Sequence, residues 1–346
     1  MISIKNVNQI WLILVLTHLG GSLLAGYAQI IPGGTLMISA AIGFCAGWLL
    51  SRGKWYKALA GVLAVTVFVY AASWGLPVGY RASLLLMMTE LFLILWLGEE
   101  SHVSVRKYCR IRSLKPGQIP FLVTAGCLMY IFCAYFNAWS EIFFRNYVGE
   151  SLAAVRLNLP GSLAIFALMP ALVEEIFFRG FFFQGLGGGK TAVLGSALLF
   201  ALMHMNFNQI CYAFAAGFVL GTVILITRNL TASMIMHFVF NGISVLITCL
   251  GDSRFIRQLL GLHLAGYYPL YPVLYKDGAL AVESVILGAL ISVLCLAALI
   301  FLLRRFVQKK EEEKEFSETG TWTGPDWRMA AGCIICILVA ASREFL

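Results

Sequence analysis

The chain has 346 residues, 60% of them hydrophobic and only 12% charged, with a mean hydropathy of +0.85. A soluble core cannot hide that much apolar surface, so lipid is the solvent for most of its length. The net charge of +8 is dispersed, which suits basic loops that hold membrane topology and argues against a nucleic-acid partner.

The apolar blocks are continuous over about 20 residues, enough to cross about 30 Å of hydrocarbon, and lack the alternation of a barrel strand. In chain order they predict helices over 10–30, 32–50, 58–76, 82–98, 119–138, 161–186, 191–206, 209–227, 230–250 and 279–303, with a weaker one over 329–341. The expected fold is all-α, a polytopic transmembrane helical bundle of about 10–11 spans. The first block has only Lys5 as a basic flank and a long membrane domain after it, so it reads as a retained anchor rather than a signal peptide. The segment 140–160 is too polar to span and predicts an amphipathic helix along the interface. Lys309 to Trp327 reads as a solvated linker. The organisation expected is accessory spans over 1–118, a core over 119–303, and a charged linker with a last span over 304–346.

Alternate connectors carry Arg52, Lys54 and Lys57, then Arg106, Lys107, Arg110, Arg112 and Lys115, then Lys190, Arg228, and finally Arg304, Arg305, Lys309 and Lys310. The opposite connectors mix Arg81, Arg145, Arg156, Arg254, Arg257 and Lys276 with Glu141, Glu150, Asp252 and Asp277. By the positive-inside rule the N-terminus is cytoplasmic in a multi-pass protein of the plasma membrane. Most of the nine cysteines lie inside apolar blocks, where they behave as small hydrophobes. Cys333 and Cys336 form a CxxC without a second pair, which reads as packing rather than a zinc site.

An ionisable side chain within a span costs at least about 2.5 kcal/mol on insertion scales, so each faces the protein interior for a reason. The candidates are His18, Glu90, Glu174, Glu175, Arg179, His204, His237 and Glu283, with Asn241 as a polar companion. Glu175 and Arg179 are four apart and form a neutralising pair on one helix face. Glu174 is turned about 100° from Glu175 and has Phe178 four residues on, so the local sequence leaves it no counter-charge. Pro170 removes a backbone bond one turn earlier, and the resulting kink opens space beside Glu174. His237 and Asn241 share a face of a second helix, and His204 stands on a third. A rise of about 1.5 Å per residue from the basic ends puts Glu174 and His204 about 20 Å deep, His237 about 10 Å and Asn241 about 16 Å, compatible with one site. His18, Glu90 and Glu283 read as structural, and His102 and His263 as loop residues.

A carboxylate in apolar surroundings suits a general base that takes a proton from water and later returns it. Glu174 fits that role, with His204 holding the water and His237 and Asn241 donating to the oxyanion of a tetrahedral intermediate. The reaction implied is hydrolysis of an acyl bond, most simply a peptide bond, without a protein nucleophile. Zinc is the alternative use of Glu174, His204 and His237 as ligands, although the usual HExxH spacing is absent.

Three motifs, EEIFFR from Glu174 to Arg179, FALMH from Phe200 to His204 and HFVFN from His237 to Asn241, make this sequence resemble the CAAX protease and bacteriocin-processing (Abi) family, the type II CAAX prenyl endopeptidases. The resemblance covers roughly 161–250. It implies a helical bundle with a catalytic chamber inside the membrane, open toward the cytosol, and a peptide or protein substrate, with lipidated chains among the candidates. It gives Glu174 as the base, His204 as its partner, His237 and Asn241 as the oxyanion site, and Glu175 and Arg179 as supporting residues. Zinc is the one cofactor the residues leave open, and neither they nor the resemblance decides whether a metal is bound. Two readings of other classes compete: a proton-coupled transporter using the same charges as a relay, and a non-catalytic immunity or binding protein.

Overall fold

A computed structural model describes residues 4–27, 34–50, 55–73, 78–100, 102–147, 158–306 and 324–345. It is an all-α polytopic bundle. The helices are α1 (Ile4–Tyr27), α2 (Gly34–Leu50), α3 (Trp55–Ala72), α4 (Val78–Glu100), the single turn α5 (Val105–Tyr108), α6 (Ile119–Glu141), α7 (Leu159–Gly185), α8 (Lys190–Met203), α9 (Phe207–Thr227), α10 (Leu230–Leu250), the short α11 (Arg254–Leu260), α12 (Val282–Phe306) and α13 (Trp327–Phe345). Among the described residues seven helices are long and apolar enough to cross a membrane, and α1, α2 and α8 contain shorter apolar stretches. The interfacial helix expected over 140–160 falls largely on 148–157, and the charged linker on 307–323, both outside the described residues.

Local chemistry sets the helix ends. Asn158, Asn206, Asn229 and Ser253 each stand just before a helix in extended backbone and accept a bond from one of its first free N–H groups. Within the spans Thr17, Thr66, Thr222 and Thr227 return their hydroxyls to the carbonyl four residues back, so polar side chains are satisfied without a partner helix. The span expected to begin at 279 begins at Val282. Before it a two-residue turn, Asp277 and Gly278, both at positive φ, joins the paired strands β1 (Tyr275–Lys276) and β2 (Ala279–Leu280). Glu283, expected inside a span, is therefore in the exposed first turn of α12, where the helix dipole favours a carboxylate.

One core joins α1, α7, α8 and α13 through Trp11, Phe177, Phe178, Phe181, Phe182, Phe183 and Phe200. A second binds α6, α9, α10 and α12. Gly126 lets α6 and α10 meet closely, because a Cβ there would lie 2.8 Å from Val239 Cβ. Cys336 is buried in the first core and Cys333 packs against it, so the CxxC serves packing.

The chain direction alternates, and contacts confirm which ends lie together. Leu230 N–H donates to Arg110 O and Thr231 Oγ1 to Arg112 O, joining the 102–115 loop to the α9–α10 turn at one end. At the other, Ser140 Oγ donates to Asn208 O, Tyr135 OH to Val285 O and Tyr147 OH to Arg343 O. The first end carries Arg106, Lys107, Arg110, Arg112, Lys115, Lys190 and Arg228 and is called the basic end below.

Candidate active site

Helix α7 widens into a π-helix twice. It is α-helical over Leu159–Leu163, π-helical over Ala164–Leu168, α-helical over Met169–Glu175 and π-helical over Ile176–Phe182. Pro170, which has no N–H to give, stands two residues after the end of the first π stretch. The sequence predicted a kink here; the structure absorbs the proline by widening the turn, a device common at functional sites. Glu174 and Glu175 occupy the α-helical piece between the two wide stretches.

The two glutamates meet different surroundings. Glu175 is fully buried: its Oε1 accepts from Arg179 Nη1 at 3.0 Å and faces His237 Nδ1 at 2.9 Å, and its Oε2 accepts from Ser233 Oγ. Arg179, equally buried, lies over the Phe200 ring with its guanidinium carbon 4.2 Å from the centroid. Gly217 leaves it room, since a Cβ there would stand 3.0 Å from Ala197 Cα and 3.2 Å from Arg179 Nη2. Glu174 retains 22% side-chain exposure, and its Oε2 lies 3.7 Å from His237 Nε2. That difference decides which carboxylate can meet water. The predicted Glu175–Arg179 pair is present, and Glu175 also holds the ring of His237, a link the sequence did not reveal. Ser233 was missed altogether, although it precedes His237 by four residues on the same face and so carried a periodic signal.

His204 was expected within a helix but follows the end of α8, in a turn whose next residue, Met205, has φ +48°. Fourteen residues rise about 21 Å, so α8 stops short of a full crossing. Irregular backbone at that depth is tolerated where it is buried in protein or borders a wet cavity. His204 Nδ1 lies 2.8 Å from Phe200 O. A carbonyl only accepts, so Nδ1 carries the hydrogen and Nε2 keeps its lone pair. The same logic applies to His237, whose Nδ1 donates to the Arg179-paired Glu175. Its other ring nitrogen, Nε2, faces Glu174.

Glu174, His204, His237 and Asn241 line one cavity of about 440 Å³. Its upper walls include Tyr130, Asn137, Gln209, Tyr212, Thr248 and Tyr271. Apart from Tyr130, midway along α6, these belong to the ends of α6, α9 and α10 and the 261–281 loop away from the basic end. The phenylalanines of the second π stretch, with the Tyr108 ring tilted against Phe181 at 5.4 Å between centroids, close the basic end. The chamber predicted to open toward the basic loops therefore opens the other way. The reason is packing: the bulk is all on the 176–183 side of the glutamates.

On its other side Glu174 borders a second space of about 30 Å³ shared with His18, Glu90 and His204. His18 Nδ1 and Glu90 Oε1, from α1 and α4, stand 2.8 Å apart there, so the first and fourth helices reach the immediate surroundings of the site. Among the described residues no three His, Cys, Asp or Glu side chains converge as a metal ligand set.

Residues 156–243, about a quarter of the chain, match the family model described as type II CAAX prenyl endopeptidase Rce1-like. No curated protein and no solved structure matches the chain. The matched segment begins before α7 and ends in α10, and it contains all three motifs and both histidines of the cavity. By that segment the chain resembles the type II CAAX prenyl endopeptidases.

Proposed function

We propose that the protein is an intramembrane endopeptidase that hydrolyses a peptide bond with water activated by Glu174. The observation that carries this reading is the convergence of Glu174, His204, His237 and Asn241 from three parts of the chain on one cavity large enough for a peptide segment. In this reading the lone pair on His204 Nε2 accepts from the water and aims it. Glu174 takes the water proton as the oxygen bonds to the scissile carbonyl carbon. The carbonyl electron pair moves to oxygen, where the Asn241 amide donates a hydrogen bond.

His237 stands 3.7 Å from Glu174, close enough to share the captured proton and then donate from Nε2 to the oxyanion. Glu175, fixed by Arg179 and Ser233, holds the ring and balances its charge. Collapse of the intermediate breaks the C–N bond, and the same proton passes to the leaving nitrogen, giving a carboxyl group and an amine.

The test is cleavage of a quenched peptide library by purified wild-type protein and by Glu174→Ala, each with and without chelator. Cleavage that chelator leaves unchanged and that Glu174→Ala abolishes is expected. Loss on chelation with recovery on adding zinc would replace the bare glutamate mechanism by a metal one, and no cleavage by folded wild-type protein would favour a binding or immunity role.

A further inference from the structure

We infer that the substrate reaches this site from the non-cytoplasmic face of the membrane, as an extended segment of an exported or membrane-anchored polypeptide. Two independent observations carry the inference. One is the charge distribution: the loops at the closed end hold Arg106, Lys107, Arg112, Lys115, Lys190 and Arg228, and short loops rich in Lys and Arg stay in the cytoplasm. The other is the direction of the cavity, whose mouth is formed by Asn137, Gln209, Thr248 and Tyr271 at the opposite end of the same helices.

The closed end cannot serve as a second entrance. Between the glutamates and the basic loops lie Phe177, Phe178, Phe181, Phe182 and Phe183, all buried. Gly180 is packed so tightly on Cys109 of the 102–115 loop that a Cβ would lie 2.5 Å from the sulfur. Opening a path there would expose this layer and the buried Arg179 together.

The mouth also indicates what enters. Its walls mix neutral amides, hydroxyls and tyrosine rings with apolar side chains such as Ile247, Leu270 and Pro272, and the two carboxylates among the lining residues are Glu141 toward the mouth and Glu174 at the site. Such walls match the alternating donors and acceptors and apolar side chains of an extended peptide, and among the described residues no Lys or Arg lines them to clamp a phosphate or a nucleotide. What enters rests on the protease reading; the side from which it enters does not.

The experiment uses the full chain in cells that express it. Thr248→Cys, at the mouth, and Lys190→Cys, at the closed end, are treated with a membrane-impermeant maleimide before and after the membrane is opened, with the wild-type chain as the blank for native cysteines. Thr248→Cys labelled in intact cells and Lys190→Cys only in opened membranes is the expected result. The reverse pattern, or both sites labelled from the same side, overturns the inference. In parallel, an impermeant quenched peptide is given to intact cells and to inverted vesicles. Cleavage in intact cells only, lost in Glu174→Ala, is expected, and cleavage in inverted vesicles only contradicts it. Should detergent-solubilised protein cut no peptide, the protease reading fails while the labelling still decides the side.

Discussion

The two halves of α7 share a helix and a hydrophobic sequence, yet one borders a wet cavity and the other a dry wall. Up to Glu174 the helix faces about 440 Å³ of open space whose walls mix polar and apolar side chains. From Glu175 onward every residue to Phe183 is buried, and the only charges are the Glu175–Arg179 pair and the groups bonded to it. The lesson is that two adjacent carboxylates can do different work when the boundary between wet and dry falls between them. Glu175 is held by fixed partners, and Glu174 is left accessible for chemistry.

That contrast makes variants separable. The largest effect on folding is expected for Arg179→Ala, which strands the Glu175 charge in the dry half and should lower stability by about 3–5 kcal/mol. A thermal melt in detergent checks it, and a wild-type Tm would mean that the dry half is not dry. Ser233→Ala removes one donor from the same carboxylate and should cost about 1–3 kcal/mol. Because Glu175 also holds His237, turnover per folded molecule should fall as well, and a stability loss without that fall would detach Glu175 from the site. The smallest effect belongs to the rim of the wet half. Asn206→Ala deletes the cap of α9 beside the His204 turn and should cost about 0.5–2 kcal/mol, read as a lower Tm with faster proteolysis at that turn.

Much of the fold was legible because lipid imposes a simple code. Helix α10 begins and ends at the predicted residues 230 and 250, and α9 begins two residues before its predicted start, since polar caps interrupt otherwise unbroken apolar runs. The Asp277–Gly278 turn was equally visible as a dipeptide, but the apolar block that follows masked it and drew the predicted span three residues too early. The site was legible as residue types: the spacing of Glu175 and Arg179, and of His237 and Asn241, follows from 3.6 residues per turn.

What spacing along one helix cannot express is contact between helices. The bond from Glu175 to His237, the pairing of His18 with Glu90 beside Glu174, and the direction of the cavity all depend on how α1, α4, α7 and α10 are set against each other. The shortness of α8 was hidden for a different reason. Met203, Met205 and Phe207 continue the apolar pattern through the very turn that carries His204.

The central claim is that Glu174, and not its neighbour, activates water. The most direct test is single-turnover cleavage of one library-selected peptide by wild-type protein and by Glu174→Gln, at matched folded fraction and matched Tm. The account predicts a rate lower by about 10²–10⁴-fold with unchanged stability. A Glu174→Gln rate within about threefold of wild type would contradict it, because removal of a true general base cannot cost so little.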